Sequence, residues 1–331
     1  MMNLSTFFNS YAGMFAAQSF CHSLIAAVVT DRALHAWKIH DPLIRQRFRL
    51  IVIFFPILSF PLYQLIDPTR STALFRIASL FDINRWLSIE IFGIVPVSLL
   101  FLLILAFSAL VFLFQELFPV IKHVLESRSP EQVGTLQGTD PFIEQAAQSL
   151  EIRPPSVFLI DDAEPILFSS TGKDAVVYIS HGLQENLTPE QLRAAIAHEI
   201  AHIARSRRPL LILVFFLRIV MFFNPVVLMK FRKIVRDEEK ICDDIAVSLT
   251  HDPKALAAAL KTFYQTPDDG PLRSSGRTST RDVSLEDFGH NLHLESRIQR
   301  LETGDLGNRI DWLVPFTITL LTVTAVCYYI V

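Results

Sequence analysis

Residues 188–202 read TPEQLRAAIAHEIAH, and this stretch decides how the surrounding chain is organised. Thr188 has the side chain of a helix N-cap, Pro189 suits the first helical position, and Gln191 follows three residues after the cap. The three residues predict a capping box at the start of a helix. We expect that helix to run from Leu192 to about Arg205.

Two histidines on the predicted helix, His198 and His202, lie four residues apart. This spacing places both imidazoles on one helical face, where they can bind a single Zn²⁺. Glu199 follows His198 directly and can act as a general base on a water whose pKa the metal lowers to ~7. Because the pattern arises by chance in roughly one or two sequences per hundred of this length, a third ligand is needed to support the site.

A second predicted helix, from about Pro225 to Thr250, offers that third ligand. Glu239 is the favoured residue, and Asp243 shares its face, where it could accept the second ring N–H of a ligating histidine. Glu238 competes with Glu239 but points about 100° away on the helix. The charged run 236–244 would also suit a solvated helix, although apolar residues within it provide a buried face.

The composition places much of the chain in lipid. Hydrophobic residues make up 51% of the 331 residues, and the mean hydropathy is +0.37. The first apolar stretch carries Gln18 and His22 and could instead form a partly buried amphipathic helix. Four stretches are predicted to cross a hydrocarbon core of about 30 Å, at about 11–30, 50–66, 92–114 and 312–331.

A further apolar interval, 209–229, lies between the two predicted ligand helices. A straight crossing would carry the third ligand about 30 Å from the two histidines, too far for one metal ion. We therefore predict a hairpin whose first helix, of about fifteen residues, ends at Phe222 or Phe223, with a break at Asn224–Pro225. The hairpin would dip into the cytoplasmic leaflet or lie along it.

The segment before the zinc helix has the composition of a soluble domain. Runs 156–160 and 175–179 are rich in β-formers, and the turn signal 171–174 predicts a small sheet built partly from a hairpin. Residues of about 266–287 are rich in Pro, Gly, Ser and Thr, which predicts a mobile loop. A plain linker is the favoured interpretation, and an autocleavage or lid segment is the alternative.

The distribution of charged residues indicates how the chain is oriented in the membrane and whether it binds nucleic acid. The loop after the first span carries five Lys and Arg residues and the next loop three, so we expect the first loop to be cytoplasmic. The net charge of -3, without a basic stripe, argues against a direct nucleic-acid partner.

Three cysteines without paired spacing predict neither a disulfide framework nor a cysteine metal site.

These residues resemble the BlaR/MecR-type membrane sensor-transducer metallopeptidases, which are zinc proteases of the gluzincin group. The run Glu-x-x-Cys-Asp after Phe-Asn-Pro is far more specific than the zinc-helix motif alone. HtpX-like membrane proteases share the zinc helix and a Glu-x-x-Ala-Asp equivalent, so they are the nearest rival. The resemblance covers the three leading spans and the segments 177–183, 187–202, 223–225 and 239–243.

The resemblance implies one Zn²⁺ per chain, held by His198, His202 and Glu239. It also implies Glu199 as the catalytic base and Asp243 as the partner of a ligating histidine. In both families an Arg-Ile-x-x-Leu element follows the ligand helix, and residues 297–301 are similar to it. Arg297 within this element would either orient substrate or support packing.

The expected fold is a mainly α integral membrane protein with about four transmembrane helices, a membrane-associated hairpin and a small α+β gluzincin-type zinc protease domain. The predicted domains are a membrane domain over 1–119, a cytoplasmic metallopeptidase domain over 120–311 that includes the hairpin 209–229, and a transmembrane helix over 312–331. We expect a multi-pass protein of the bacterial cytoplasmic membrane with both termini outside.

The expected activity is zinc-dependent cleavage of a cytoplasmic or juxtamembrane polypeptide. The expected role is signal transduction, in which the polypeptide cleaved is a cytoplasmic transcriptional repressor. Alternatives are an HtpX-like quality-control protease and a non-catalytic membrane regulator, although a purely structural metal site has no need for Glu199. Family members that sense β-lactams carry a penicillin-binding domain after the last span, and residues 1–331 hold none, so we expect no covalent β-lactam sensing by them. Self-association stays open.

Overall fold

The structure is a computed structural model that describes residues 4–118, 135–137, 140–170, 174–206, 209–264, 285–304 and 311–331. Its residue contacts define two units, one made of residues 1–129, 210–237 and 308–331 and the other of residues 130–209 and 238–307. The predicted linker of about 266–287 lies almost wholly outside the described residues, as do positions 171–173 of the predicted turn. The predicted three-domain division follows chain order and stays a prediction.

The described part of the chain is mainly helical, as expected, and it contains short strands. In chain order the strands are β1 (Glu90–Ile91), β2 (Val95–Pro96), β3 (Thr135–Gln137), β4 (Ser156–Ile160), β5 (Leu167–Ser170) and β6 (Val176–Ser180). The α-helices are α1 (Leu4–Asn9), α2 (Tyr11–Ala36), α3 (Pro42–Ile66), α4 (Ala73–Ala78), α5 (Ile83–Leu87), α6 (Val97–Phe112), α7 (Pro141–Ser149), α8 (His181–Asn186), α9 (Pro189–Ser206), α10 (Pro209–Val220), α11 (Pro225–Thr250), α12 (Pro253–Tyr264), α13 (Leu285–Thr303) and α14 (Leu313–Tyr328).

Three helical segments of the first unit are long and apolar enough to cross a membrane: α2, α3, and α6 with its continuation to Gln115. The third segment passes from α-helix into a π-helical turn at Leu113–Leu117. The fourth predicted span forms α14, an apolar helix of 16 residues. At 1.5 Å per residue α14 is about 24 Å long, which is shorter than a hydrocarbon core of about 30 Å.

The predicted break at Asn224–Pro225 is confirmed, because α10 ends at Val220 and α11 begins at Pro225. The first helix of the hairpin is shorter than expected, with 12 residues. Side chains of the two helices share one apolar cluster that includes Val214 and Ile234. Asn224 is the reason for the break, since its Oδ1 accepts hydrogen bonds from the backbone N–H groups at the start of α11.

Two ion pairs tie α11 to the other helices of the first unit. Asp237 pairs with Arg49 of α3, and both side chains are almost fully buried. Lys230 Nζ lies 2.6 Å from Asp31 Oδ2 of α2. A buried charge without a partner is costly, so the two pairs restrict how α11 can rotate against α2 and α3.

The second unit contains a four-stranded sheet with the strand order β3-β4-β6-β5. The central strands β4 and β6 are parallel, and β5 and β6 form an antiparallel pair. The two strands predicted from β-rich runs are confirmed, whereas the short strands β3 and β5 were not predicted. Val177 and Ile179 of β6 are fully buried in a core that includes Ile200 and Ile203 of α9, which fixes this helix against the sheet.

The predicted capping box at the start of α9 is confirmed. The Thr188 N–H donates to Gln191 Oε1 at 3.1 Å, and the Gln191 N–H donates to Thr188 Oγ1 at 3.3 Å. The two bonds satisfy backbone donors that a helix start leaves without partners, so the helix begins at a fixed residue. The positions of the two histidines along α9 are thereby set.

We expect Asn224→Ala to destabilise the first unit by about 2 kcal/mol. The substitution removes the cap of α11 and the 2.9 Å hydrogen bond from Asn224 Nδ2 to Ser23 Oγ of α2, and these contribute roughly 1 kcal/mol each. Denaturant unfolding of the full chain in detergent measures the loss, with Asn9→Ala at an exposed helix end as the control. Equal stability of the two variants would contradict this account of the break.

Candidate metal centre

The predicted zinc helix places its two histidines side by side. The imidazole rings of His198 and His202 have centroids 4.7 Å apart, and their Nε2 atoms are separated by 3.0 Å. His198 is buried and His202 is half-buried. Two Nε2 lone pairs at this separation repel each other unless a proton or a cation lies between them.

A carboxylate from α11 completes a group of three donors. Glu239 Oε2 lies 3.6 Å from His198 Nε2, and Glu239 Oε1 lies 3.6 Å from His202 Nε2. Among the described residues, this is the group of His, Cys, Asp and Glu side chains whose ligand atoms lie close enough to hold a metal ion, all within 4.8 Å of one another.

The donor spacing fits a small tetrahedral cation. With bonds of about 2.0 Å to nitrogen and oxygen, neighbouring ligand atoms of a tetrahedron lie about 3.3 Å apart. The two Nε2 atoms are 3.0 Å apart, and each lies 3.6 Å from its nearer Glu239 oxygen, Oε2 for His198 and Oε1 for His202, so the separations are close to this value. Three donors also leave one coordination position open, which is the arrangement of catalytic zinc sites.

Asp243 lies behind the group, one helical turn after Glu239, and its side chain is fully buried. Its Oδ1 is 3.1 Å from His198 Nδ1, the ring nitrogen that faces away from the other donors. A carboxylate here holds the proton on Nδ1 and leaves Nε2 free to bind a metal. The structure thus brings together the side chains that the sequence analysis had placed in one site.

Arg297 of α13 neutralises the two acids of α11. Its Nε and Nη2 donate to Asp243 at 2.8 and 2.7 Å, and its Nη1 lies 3.0 Å from Glu239 Oε2. Arg297 Nη2 also lies 3.4 Å from His198 Nε2. The predicted role in orienting substrate stays a prediction, and the observed contacts are those of a residue that holds the acids in place.

The charges of the site alter the pKa values of its groups. Burial disfavours the charged imidazole of His198, but the adjacent carboxylates of Asp243 and Glu239 outweigh this and raise its pKa to about 9. Burial raises the pKa of Glu239, yet the two adjacent histidines and the charge of Arg297 give a net pKa well below the usual range. The raised pKa favours the protonated imidazole of His198, so a metal competes with a proton for this site.

The competing ligand Glu238 has a different partner. Its carboxylate forms a two-pronged ion pair with Arg205 near the end of α9, including a bond of 2.6 Å from Arg205 Nη2 to Glu238 Oε2. The 100° step between successive helical residues explains why Glu238 and Glu239 reach different groups.

Glu199 lies beside the donor group and lines a pocket of about 360 Å³. The Ser169 hydroxyl of strand β5 donates a 2.6 Å hydrogen bond to Glu199 Oε2. Strand β5 lies at one end of the described sheet order, so one of its edges has no neighbouring strand in the described part of the chain. The other residues lining the pocket are Leu167, Ala195, His198, His202, Glu239, Leu256, Ala259, Leu260 and Arg297.

Two side chains near the reactive groups were missed by the sequence analysis. Ser169 lies in a run of only four strand residues that carries no alternating apolar pattern, so its contact with Glu199 could not be anticipated. Cys242 Sγ lies 3.5 Å from His202 Nδ1 and is the neighbour of the ring nitrogen that faces away from the donors. The position of Cys242 three residues after Glu239 was noted, but a cysteine within an apolar helix face gives no signal of such a contact.

A zinc-type donor group beside a carboxylate, on helices next to a small sheet, is the arrangement of a metallopeptidase. Residues 83–260 match the family model described as BlaR1 peptidase M56, and this range is more than half of the chain. The chain therefore belongs to the BlaR1 peptidase M56 family.

The chain is also similar to curated HtpX proteases. Protease HtpX of Pseudomonas savastanoi pv. phaseolicola is 35% identical over 66 residues, which cover 19% of this chain and 22% of the relative. A protease HtpX homolog of Thermoanaerobacter pseudethanolicus is 36% identical over 89 residues, 26% of this chain and 28% of the relative. The chain thus matches about a quarter of the length of these relatives. No solved structure matches the chain.

We expect Asp243→Asn to weaken binding of Zn²⁺ by about 10- to 100-fold, because the amide no longer fixes the imidazole of His198 as a carboxylate does. Asp244→Asn is the matched control, since Asp244 pairs with Arg300 of α13 and is absent from the donor group. Competition with a chromophoric chelator measures both affinities. The assignment of Asp243 fails if the two variants bind zinc equally well.

Proposed function

We propose that this protein is a membrane-embedded zinc endopeptidase in which His198, His202 and Glu239 hold one Zn²⁺ and Glu199 is the general base. The observation that carries the proposal is the donor group with Glu199 beside it in one pocket. Two imidazoles and a carboxylate around an open position suit zinc better than the harder divalent cations.

His198, His202 and Glu239 would hold the Zn²⁺, which would supply a Lewis acid for the scissile carbonyl and make water more acidic. Glu199 takes the proton from the attacking water and delivers it to the leaving amine. The Ser169 hydroxyl restricts the carboxylate of Glu199 to one orientation through its 2.6 Å hydrogen bond. Burial raises the pKa of Glu239 and of Asp243, and the positive charge of Arg297 is among the interactions that lower both, so Arg297 favours their ionised forms.

The substrate is a polypeptide segment in an extended conformation. Strand β5 offers backbone groups along a free edge of the described sheet, and Ser169 on this strand reaches Glu199. An extended peptide that pairs with such an edge gains backbone hydrogen bonds and lies next to the carboxylate of Glu199. Apolar residues of the pocket, among them Leu167, Leu256 and Leu260, would receive an apolar side chain beside the scissile bond.

The biological role that we propose is signal transduction by cleavage of a cytoplasmic transcriptional repressor. Family membership and the predicted cytoplasmic position of the catalytic domain support it. Turnover of membrane proteins is the second candidate, and it is favoured by the similarity to proteases named HtpX. We propose the bacterial cytoplasmic membrane as the location, with both termini outside.

The test compares metal content and cleavage of casein for the full chain in detergent. We expect the wild type to hold about one zinc and to cut. Glu199→Gln should keep zinc and lose about 10²- to 10⁴-fold in rate, as expected for removal of a general base. Glu239→Ala should lose the metal. Glu185→Gln, at an exposed position of the same unit, is the control and should behave as the wild type.

Cleavage by Glu199→Gln at the wild-type rate would rule out the peptidase proposal. A wild type that holds zinc and cuts neither casein nor itself would favour the non-catalytic regulator. Cleavage of a repressor encoded beside this protein, and not of unfolded membrane proteins, would separate the two biological roles.

We expect Ser169→Ala to lower kcat about tenfold while leaving KM and zinc content unchanged. The substitution removes one hydrogen bond to a charged group, and tenfold corresponds to about 1.4 kcal/mol, near the lower end of the ~1.5–3 kcal/mol that such a bond contributes. Ser169→Thr keeps the hydroxyl and should retain most of the rate. Ser170→Ala is the matched control, because successive strand residues point to opposite faces of the sheet. Equal rates for Ser169→Ala and Ser170→Ala would remove Ser169 from the mechanism.

A further inference from the structure

An apolar groove of about 590 Å³ runs along α3 and α14 of the first unit. Leu58 and Leu62 of α3 line it and are 51% and 45% exposed, and Leu320 of α14 is 36% exposed. So much apolar surface on helices of membrane-crossing composition is suited to contact with hydrocarbon chains. The groove belongs to a different unit from the donor group described above.

The positively charged side chain of Arg47 lies at one end of this otherwise apolar groove. The Arg47 guanidinium stands 4.3 Å from the centre of the Trp312 ring, and both residues line the groove. No ion pair or hydrogen bond of the Arg47 side chain is found among the described residues. Arg47 precedes the predicted span 50–66, so its charge lies where the headgroups of a bilayer would be, and Trp312 is of the residue type enriched at that depth.

The volume of the groove distinguishes between a transmembrane helix and a lipid acyl chain as its occupant. A transmembrane helix about 10 Å wide and 30 Å long occupies roughly 2,400 Å³, about four times the volume of the groove. An acyl chain of about sixteen carbons needs roughly 480 Å³ if each methylene takes the ~30 Å³ of a water molecule. From Arg47 to Leu58 the helix rises about 16 Å, close to the ~15 Å depth of one leaflet. The groove therefore fits one lipid chain with its headgroup at the cation.

We propose that the groove between α3 and α14 is a binding site for an anionic phospholipid. The acyl chain lies against Leu58, Leu62 and Phe316, and the phosphate of the headgroup pairs with Arg47. Basic pockets between transmembrane helices bind anionic headgroups by this combination of apolar contact and charge. The aromatic face of Trp312 holds the guanidinium beside the groove, so the cation is already in place when a lipid arrives.

Trp312 provides the probe for the test. The chain contains 3 tryptophans, and replacing Trp37 and Trp86 by phenylalanine leaves Trp312 as the source of indole fluorescence. The full chain is placed in phosphatidylcholine vesicles with trace lipids whose acyl chains are brominated. Quenching by brominated phosphatidylglycerol and by brominated phosphatidylcholine gives their relative binding constants.

We expect phosphatidylglycerol to bind about fivefold more tightly than phosphatidylcholine, the effect of one basic residue near an anionic headgroup. Arg47→Gln should bring the ratio to about one, and Arg47→Lys should keep most of the preference. The matched control is Arg32→Gln, an exposed arginine at the same predicted side of the membrane, which should keep the fivefold ratio.

Four results would overturn the proposal. A wild-type ratio near one, or a ratio that Arg47→Gln leaves unchanged, would mean that Arg47 does not recognise the headgroup. Trp312 fluorescence that neither brominated lipid quenches would mean that a second copy of the chain or another protein covers the groove. Loss of the preference on addition of inorganic phosphate would identify a site for free anions.

Discussion

A carboxylate without access to solvent stands at the centre of the candidate site. Asp243 is fully buried between the guanidinium of Arg297 and the Nδ1 atom of His198. An ionised acid in such a place is tolerated only if its partners remain, so α9, α11 and α13 are held at this point by one charge. The orientations of His198 and Arg297, and through His198 the spacing of the three donors, depend on that contact.

The neighbouring acids of helix α11 also restrict how this helix packs. Three successive acids, Asp237, Glu238 and Glu239, step by 100° around the helix and meet three different groups. The first pairs with Arg49 of α3, the second with Arg205 of α9, and the third joins the donor group. If α11 turned by one residue about its axis, buried acids would lose their partners. Each ion pair therefore fixes the rotation of the helix about its axis.

Local patterns predicted much of this arrangement. The capping box set the start of α9, and the Asn-Pro break set the start of α11, because both are decided by residues within one turn of the helix end. The long apolar runs predicted α2, α3 and α6. Strand β5 was missed, since four residues with two serines carry too little pattern to distinguish a strand from a loop.

The sequence by itself determined the pairing of His198 with His202, since the i, i+4 spacing fixes their common face whatever the rest of the chain does. Only the tertiary structure decided that Glu239 joins them while Glu238 turns to Arg205, that Arg297 bridges Glu239 and Asp243, and that Ser169 reaches Glu199. Those contacts join residues between 30 and 58 positions apart, and their geometry depends on how whole helices pack. Packing is decided by the shapes of buried faces, which no local spacing contains.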